Sequence, residues 1–487
     1  MGPEARGAGR YNAVVIGAGT AGLVTAAGTA GLGGRVALIE AREMGGDCLN
    51  YGCVPSKALV STSKLIQKIR RAEHHGLDAM TPQFRFERVF EHMRERRAAI
   101  APNDSVERFT GLGVDVFEAR ARFVSPDEVE LDDGTRLSGR HFVIATGTRP
   151  WIPPIPGVGS VPYLTNETFF DTQDTAPESL LVLGGGPIGC EMGQVMGRLG
   201  VEVTIITDVK RLLPRDDHEA SAVVEEVFRE DGVDVVAGCR VESFTRSASG
   251  GVRAEVATPD GTRTFEGERL LIATGRQPNV EDLGLEEAGV TFSPKRGVPV
   301  DAAMRTNVRH IYACGDVAGP YRFTHTADYQ ARLVVRNILL PPPAPRARAD
   351  YSHVPWVTYV DPEVAHFGLR ERDAEAEGIA VDVHRHDNAE LDRAITESAP
   401  RGFVKVLTES GRDRIVGATV VAPRAGEILH EIMVAARHKV GLASLSGTIH
   451  GYPTWAQAAQ RTADAYQRTR LTPRAKAIFS WLYRKRR

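Results

Sequence analysis

One local pattern occurs twice in this chain and constrains its fold more than any other feature. A short apolar strand, Tyr11–Gly17, precedes a glycine-rich turn, an alanine-rich helix to about Gly31 and a second apolar strand, Arg35–Glu40. The same order recurs around the predicted strands Ser179–Leu183 and Val201–Ile206. The first, third and sixth positions of both turns are glycines, namely Gly17, Gly19, Gly22, Gly184, Gly186 and Gly189.

This glycine spacing has a physical meaning. It permits a tight turn between strand and helix, and it lets a pyrophosphate approach the backbone at the positive end of the helix. Glu40, at the end of the second strand, is placed to accept a ribose hydroxyl. Each unit therefore predicts one bound dinucleotide, and two units predict two.

A second internal repeat supports the same organisation. The run Phe142-Val143-Ile144-Ala145-Thr146-Gly147 resembles Leu270-Leu271-Ile272-Ala273-Thr274-Gly275. Each run is predicted to be a strand that returns the chain at the edge of a nucleotide domain.

Two cysteines directly follow the first unit. Cys48 and Cys53, separated by four residues, lie in the run Gly45-Gly46-Asp47-Cys48-Leu49-Asn50-Tyr51-Gly52-Cys53-Val54-Pro55-Ser56-Lys57. Pro55 suits the first turn of a helix, which places Cys53 at a helix N-terminus, where the partial positive charge stabilises a thiolate. The pattern predicts thiol redox chemistry beside a bound cofactor, and the competing interpretation is two packing cysteines.

The composition excludes several classes of protein. A chain of 487 residues predicts two to four domains, and a net charge of −2 gives no indication of nucleic-acid binding. Five cysteines are too few for a secreted disulfide framework, and no run is apolar enough to cross a bilayer. We therefore expect a cytoplasmic protein.

The cysteine run resembles the redox signature of the flavin-dependent pyridine nucleotide–disulfide oxidoreductases, which include glutathione reductase, dihydrolipoamide dehydrogenase and mercuric reductase. The resemblance extends from about Tyr11 to Gln467. It implies an α/β fold, with two Rossmann-like dinucleotide-binding domains and a C-terminal α+β dimerisation domain. The implied divisions are residues 1–157 and 279–345 for FAD, 158–278 for NAD(P)H, 350–467 for dimerisation and 468–487 for a basic tail.

The resemblance also implies roles for individual residues. NAD(P)H reduces FAD, which reduces a Cys48–Cys53 disulfide. Cys53 is then the flavin-proximal thiolate and Cys48 the thiol that meets the acceptor, while Lys57 near the flavin pairs with Glu191. The implied cofactor-binding residues are Gly17, Gly19, Gly22, Glu40, Gly46, Thr146, Gly147, Gly184, Gly186, Gly189, Asp208, Gly275, Gly315, Asp316 and Ala327.

The choice between NADH and NADPH depends on the residues that follow the predicted strand Val201–Ile206 of the second unit. A carboxylate there accepts the ribose hydroxyl and repels a 2′-phosphate, so Asp208 favours NADH. Lys210 and Arg211 lie close by and favour NADPH. The balance favours NADH.

The C-terminal motif departs from that of the disulfide reductases. Where they carry a catalytic histidine and an orienting glutamate, this chain has Tyr452 and Gln457, and His450 matches only their first histidine. Tyrosine is a poor base at neutral pH. Mercuric reductases also carry tyrosine here, so the chain resembles a mercuric-reductase-like branch, although its C-terminus lacks vicinal cysteines. No metal site is predicted.

Three functions remain open from the sequence. The first is reduction of a disulfide, Hg(II) or another thiophile through the dithiol, with a small molecule or small protein as electron acceptor. The second is an NAD(P)H:quinone or diaphorase-type reductase whose electrons leave directly from FAD, and the third is a non-catalytic FAD-binding electron-transfer partner. We expect a homodimer in which Tyr452 faces the partner's dithiol.

The tail leaves two interpretations. Residues 471–487 combine basic and apolar side chains, which is typical of a helix on the inner face of an anionic membrane. A solvated terminus is the alternative.

Overall fold

A computed structural model describes residues 9–171, 175–340 and 343–486. Pro341 and Pro342 of the predicted linker, and Arg487 of the tail, lie outside these ranges. The strands in chain order are β1 Ala13–Ile16, β2 Val36–Glu40, β3 Val114–Glu118, β4 Ala121–Ser125, β5 Glu128–Leu131, β6 Arg136–Ser138, β7 Phe142–Ile144, β8 Thr148–Pro150, β9 Tyr163–Leu164, β10 Ser179–Leu183, β11 Glu202–Ile206, β12 Val233–Val236, β13 Arg240–Arg246, β14 Val252–Thr258, β15 Gly261–Gly267, β16 Arg269–Ile272, β17 Arg276–Pro278, β18 Ile311–Ala313, β19 Pro355–Thr358, β20 Glu363–Gly368, β21 Val381–Asp387, β22 Phe403–Glu409 and β23 Ile415–Ala422.

The α-helices follow the same numbering. They are α1 Thr20–Gly31, α2 Gly46–Asn50, α3 Cys53–Arg70, α4 Phe86–Ile100, α5 Val106–Gly111, α6 Asn166–Phe169, α7 Pro187–Arg198, α8 His218–Glu230, α9 Thr324–Leu339, α10 Glu371–Glu377, α11 Asp392–Thr396, α12 Ala425–Arg437, α13 Leu442–Gly447, α14 Gln457–Thr469 and α15 Pro473–Lys485.

Two parallel sheets carry the two glycine-rich turns. The first sheet has the strand order β18-β7-β1-β2-β3, and the second has the order β12-β11-β10-β16-β9. We call them the first and second nucleotide units. Of their central strands, β1 is buried along its whole length and β10 at every residue except Ser179, because α1 or α7 covers one face and other elements cover the opposite face. The predicted βαβ order is thus confirmed in both.

One sequence expectation about these sheets is wrong. The repeated runs at Phe142 and Leu270 form β7 and β16, but neither strand lies at an edge. β7 pairs with both β1 and β18, and β16 pairs with both β10 and β9. β18 covers the outer side of β7 and β9 that of β16, and a local sequence pattern could not indicate pairing with strands so far away in the chain.

The third large sheet is antiparallel, with the order β19-β20-β23-β22-β21. Side chains of β22 alternate between two cores, because successive residues of a strand point to opposite faces. Phe403 packs with the second nucleotide unit, whereas Val404 and Val406 pack under α12, α13 and α14. This sheet is therefore buried on both faces and joins the C-terminal part to the rest.

Buried ion pairs strengthen that junction. The fully buried Arg198 of α7 lies 2.8 Å from Asp231 and 2.9 Å from Asp361, which precedes β20. Lys405 of β22 contacts Asp217, Glu219 and Glu371, and its ammonium group lies among these three converging carboxylates. Removing one member of such a group leaves an uncompensated buried charge, so these pairs hold the units in one arrangement.

Smaller sheets complete the architecture. β4-β5-β6 and β13-β14-β15 are antiparallel, and β8 pairs with β17 to link the two nucleotide units. None of the described helices is long and apolar enough to cross a bilayer. The domain limits given above stay predictions.

Candidate functional site

The first glycine-rich turn is a cradle that only glycine can form. Gly17 has φ +104°, and a Cβ atom there would lie 2.5 Å from the carbonyl oxygen of Ala145. A Cβ on Gly22 would lie 1.7 Å from the carbonyl oxygen of Gly17, so α1 packs directly on the turn. A Cβ on Gly19 would meet only Gly46, at 3.9 Å. The middle glycine therefore leaves backbone open for a ligand rather than for protein.

The second turn repeats these contacts. A Cβ on Gly184 would lie 2.6 Å from the carbonyl oxygen of Ala273, and one on Gly189 would lie 2.0 Å from that of Gly184. Gly186 has no protein atom within 4 Å of its Cβ position. Both turns thus have the shape that a pyrophosphate requires at a helix N-terminus, and the residues present fit two dinucleotides.

A single cleft of about 3400 Å³ connects the two turns. It is several times larger than a pocket for one drug-sized ligand, which fits a site for two dinucleotides. Most of the predicted site residues line it, whereas Gly22 and Gly189 pack behind the turns. The lining predicted residues are Gly17, Gly19, Glu40, Gly46, Cys48, Cys53, Lys57, Thr146, Gly147, Gly184, Gly186, Glu191, Asp208, Gly275, Gly315, Asp316 and Ala327.

Glu40 is fixed at the end of β2. Its two carboxylate oxygens accept hydrogen bonds from the backbone N–H groups of Ala18, at 2.6 Å, and Arg42, at 2.8 Å. The carboxylate is therefore held beside the first turn, as a group that accepts a ribose hydroxyl must be.

Asp316 follows β18 at the floor of the cleft. Burial raises the pKa of Asp316, against the nearby charge of Arg276 and a hydrogen bond that Thr148 donates at 3.0 Å. Gly315 has φ +79°, and its N–H donates to Gln330 at 2.7 Å. α9 begins shortly afterwards, and its first residues, Thr324 to Ala327, line the cleft with the positive end of the helix.

Thr146 and Gly147 are held by a reciprocal contact. The Thr146 hydroxyl donates to the carbonyl oxygen of Asn279 at 2.7 Å, and the Asn279 amide donates back at 2.9 Å. These bonds fix the exit from β7 against the segment that follows β17.

Cys53 is the first residue of α3, so the predicted place at a helix N-terminus is confirmed. The Cys53 sulfur lies 3.4 Å from the Thr324 hydroxyl. A hydrogen bond from Cys48, with help from Thr324 and the charge of Lys57, lowers the pKa of Cys53 to about 6 against the effect of burial. The hydrogen bond to Cys53 and burial raise the pKa of Cys48. Near neutral pH, one sulfur is a thiolate and the other a thiol.

Lys57 lies one helical turn after Cys53. Its ammonium group is 2.7 Å from the buried Glu191 of α7 and 4.6 Å from the centre of the Tyr359 ring. The other oxygen of Glu191 accepts the backbone N–H of Tyr359 at 2.9 Å. Although burial opposes it, the charge of Glu191 raises the pKa of Lys57, which keeps a cation beside the dithiol.

Asp208 follows β11 and is exposed in the second half of the cleft. Thr207 is buried beneath the second turn, where a Cβ on Gly185 would lie 3.1 Å from its side chain. Lys210 and Arg211 are not among the described residues that line the cleft. Among these three charged residues, only Asp208 therefore lines the described cleft.

Tyr452 is set apart from the other predicted residues. Its side chain is 69% exposed, it does not belong to the described cleft lining, and Ile449 nearby is 97% exposed. His450 lies 2.7 Å from Glu431, and the Gln457 amide oxygen accepts the N–H of Thr454 at 3.3 Å. Within one chain, the C-terminal motif and the dithiol do not meet.

Sequence reasoning missed several residues of the site. No sequence pattern indicated a role for the side chains of Thr324, Tyr359 or Thr148. Thr148 and Arg276 each follow one copy of the repeated Ala-Thr-Gly run, and this repeat was the one available signal in the sequence. A contact between segments so far apart in the chain leaves no local sequence pattern.

Comparisons with known proteins agree with this geometry. The pyridine nucleotide-disulphide oxidoreductase family matches residues 11–331, and the dimerisation domain of the same family matches residues 354–463. The dihydrolipoyl dehydrogenase of Thermus scotoductus is 32% identical over 469 residues, which cover 93% of this chain and 97% of that protein. The dihydrolipoyl dehydrogenase of Chlamydia pneumoniae is 30% identical over 462 residues, covering 92% of this chain and 96% of that protein.

Two solved structures are similar along nearly their whole length. The Cu(II) complex of the HOCl-induced flavoprotein disulfide reductase RclA from Escherichia coli has a TM-score of 0.83 and 26% identity, covering 94% of this chain and 99% of that one. LpdA from Mycobacterium tuberculosis also has a TM-score of 0.83, with 27% identity, covering 93% of this chain and 99% of that one.

The pKa of Cys53 gives a direct prediction. In the reduced protein, the rate of Cys53 alkylation should increase as the pH is raised, with a midpoint near pH 6. Lys57→Met should raise that midpoint by about 0.5–1 pH unit, because loss of the cation disfavours the thiolate. Iodoacetamide labelling located by peptide mass spectrometry measures it. Lys64→Met is the control, since Lys64 lies on the same helix but pairs with Glu363; an equal shift in both variants would contradict a local role for Lys57.

Proposed function

This chain belongs to the pyridine nucleotide-disulphide oxidoreductase family, and we propose that it passes electrons from NAD(P)H through Cys48 and Cys53 to a thiophilic acceptor. It is a flavoprotein enzyme that uses FAD and NAD(P)H. Membership of an enzyme family argues against the non-catalytic alternative. FAD, when bound, accepts a hydride from the nicotinamide and transfers two electrons to a disulfide.

One observation carries the proposal: the cleft places an acidic Cys53 beside a less acidic Cys48. Two electrons and one proton convert the disulfide into the Cys53 thiolate and the Cys48 thiol. Thr324 and Lys57 hold the negative charge on Cys53. Cys48 then loses its proton when it attacks the acceptor, and re-forming the disulfide delivers two electrons to that acceptor.

The acceptor that fits best is a thiophilic metal ion. Tyr452 stands where related disulfide reductases carry their histidine base, so proton removal from Cys48 lacks its usual assistance. A thiophilic ion such as Hg(II) or Cu(II) displaces the thiol proton on binding and needs no base. Re-forming the disulfide would reduce one Hg(II) to Hg(0), or two Cu(II) ions to Cu(I), with the single proton of the Cys48 thiol released to water.

A quinone is the second candidate acceptor. Tyr321, Phe323 and His325 form a ladder of nearly parallel rings that lines the cleft, with centroids 6.2 Å and 5.2 Å apart. Such rings suit a planar aromatic acceptor. Electrons would then leave without passing through the cysteines.

Cys48→Ser separates the two candidates. Hg(II)-dependent or Cu(II)-dependent NADH oxidation should fall by about 10³-fold or more, because the attacking sulfur is lost. Oxidation of NADH with a quinone should be largely retained. Cys239→Ser is the matched loss of a thiol outside the pair and should leave both rates in place. Full metal-dependent turnover in Cys48→Ser would contradict the proposed route.

We also propose NADH as the preferred nucleotide. Asp208 is the charged side chain at the end of β11 that faces the cleft, and a carboxylate there repels a 2′-phosphate. In anaerobic stopped-flow experiments, the second-order rate constant for reduction of the enzyme by NADH should be about 10-fold above that for NADPH, which corresponds to about 1.4 kcal/mol. Asp208→Asn should reduce the ratio. A preference for NADPH in the unaltered protein would refute this assignment.

The match to a dimerisation domain supports a homodimer. Ile449 and Tyr452 lie close together in sequence in the C-terminal part, and their side chains are 97% and 69% exposed. We propose that they contact a second copy and that Tyr452 reaches the partner's dithiol.

The tail is proposed to touch a membrane. α15 is capped by Thr472, has Pro473 at its start and buries none of its residues. Residues 471–486 contain no acidic residue, and Ile478, Phe479 and Leu482 are exposed on one face beside basic groups. A basic amphipathic helix of this kind lies on anionic lipid.

Sedimentation tests the dimer and the tail together. The full chain and a chain that ends at Arg470 should both sediment as two-chain particles. Only the full chain should pellet with vesicles that contain phosphatidylglycerol, and salt should release it, because charge and apolar burial act together there. A monomer would contradict the dimer, and equal pelleting of both chains would contradict the role of the tail.

A further inference from the structure

The segment of residues 45–53, which we call the redox turn, carries an acidic side chain beside the two sulfurs. Asp47 lies in the first turn of α2, immediately before Cys48. A Cβ atom on Gly52 would lie 3.1 Å from the Asp47 carboxylate, and Gly52 directly precedes Cys53. The carboxylate therefore lies at the same helix end that stabilises the Cys53 thiolate. Two negative charges at one helix N-terminus repel each other.

Arg276 neutralises this carboxylate. Its guanidinium group lies 2.9 Å from Asp47 Oδ1, which also accepts a hydrogen bond from Asn166 at 2.9 Å. The Arg276 side chain is 14% exposed and the Asp47 side chain 39%, so water reaches the carboxylate and screens the pair in part. The residue opens β17, in the segment that leaves the second nucleotide unit.

The guanidinium group is itself held in place. It donates to the Thr148 hydroxyl at 2.7 Å and to the Thr148 carbonyl oxygen at 3.0 Å. The same hydroxyl donates to Asp316 at 3.0 Å. A continuous polar chain thus runs from Asp316 to the residue before Cys48.

Other charged and titratable groups face Cys53 from every side. Cys48 and Asp47 come from the redox turn, and Lys57 comes from α3 with its partner Glu191 on α7. Tyr359, after β19, also interacts with Cys53. The hydrogen bond from Cys48 contributes most to the lowered pKa of Cys53, and Asp47 is a charge that opposes it.

We propose that Arg276 and Asp47 are positioning residues, and that their ion pair ties the redox turn to the second nucleotide unit while preserving Cys53 as a thiolate. The inference rests on the proposed redox role of Cys48 and Cys53. Because Arg276 neutralises its charge, Asp47 can anchor the redox turn without destabilising the Cys53 thiolate at the N-terminus of α3.

The test is a pH titration of the FAD-loaded protein after anaerobic two-electron reduction. The readout is the long-wavelength absorbance that a thiolate in contact with oxidised flavin produces. Arg276→Gln should raise the midpoint of this absorbance by about one pH unit, because the Asp47 charge is then uncompensated. Arg276→Lys keeps the charge and should shift the midpoint by less. Asp47→Asn combined with Arg276→Gln should restore it to within about 0.3 units, as a coupled pair requires.

Each outcome has a distinct meaning. If Arg276→Gln leaves the midpoint unchanged, or if the double variant titrates like Arg276→Gln, the ion pair does not act on the thiolate and the inference fails. If a variant loses FAD, the pH dependence of Cys53 alkylation by iodoacetamide gives the same midpoint. If the unaltered protein shows no thiolate absorbance, the proposed function fails instead.

Discussion

The close approach of two backbone segments is the constraint on which the site depends. Gly46 of the redox turn lies against Gly19 of the first glycine-rich turn, and a Cβ on Gly46 would be 2.7 Å from the Gly19 Cα. No other residue type allows this distance without movement of one segment. The contact places the dithiol directly beside the predicted FAD turn.

Electrostatic interactions then give the two sulfurs different pKa values and different roles. The N-terminus of α3, the Thr324 hydroxyl and Lys57 all favour negative charge on Cys53, while Cys48 remains protonated. Glu191 and Arg276 compensate charges that would otherwise act alone near the sulfurs. A thiolate kept beside a thiol is what a two-electron store requires, because one sulfur can hold charge while the other reacts.

The C-terminal part carries the departure from the related disulfide reductases. Tyr452 and Gln457 replace an acid–base pair, and Tyr452 lies outside the cleft of its own chain. The remaining histidine of the motif, His450, is bound to Glu431 and to the backbone of Thr448. The nucleotide units and the dithiol therefore occur here together with a C-terminal motif that lacks the histidine base.

The amino-acid sequence by itself determined the features that depend on local pattern. Alternating strand, glycine turn and helix fixed two nucleotide units, and Pro55 placed Cys53 at a helix start, because steric and hydrogen-bonding rules act over a few residues. The family resemblance also implied the pair of Lys57 and Glu191, which are 134 residues apart. Only the tertiary structure decided the other neighbours of the dithiol, such as Thr324, which is 271 residues from Cys53. Contacts at such separation arise from packing of whole units, so no local pattern announces Thr324, Tyr359 or Arg276.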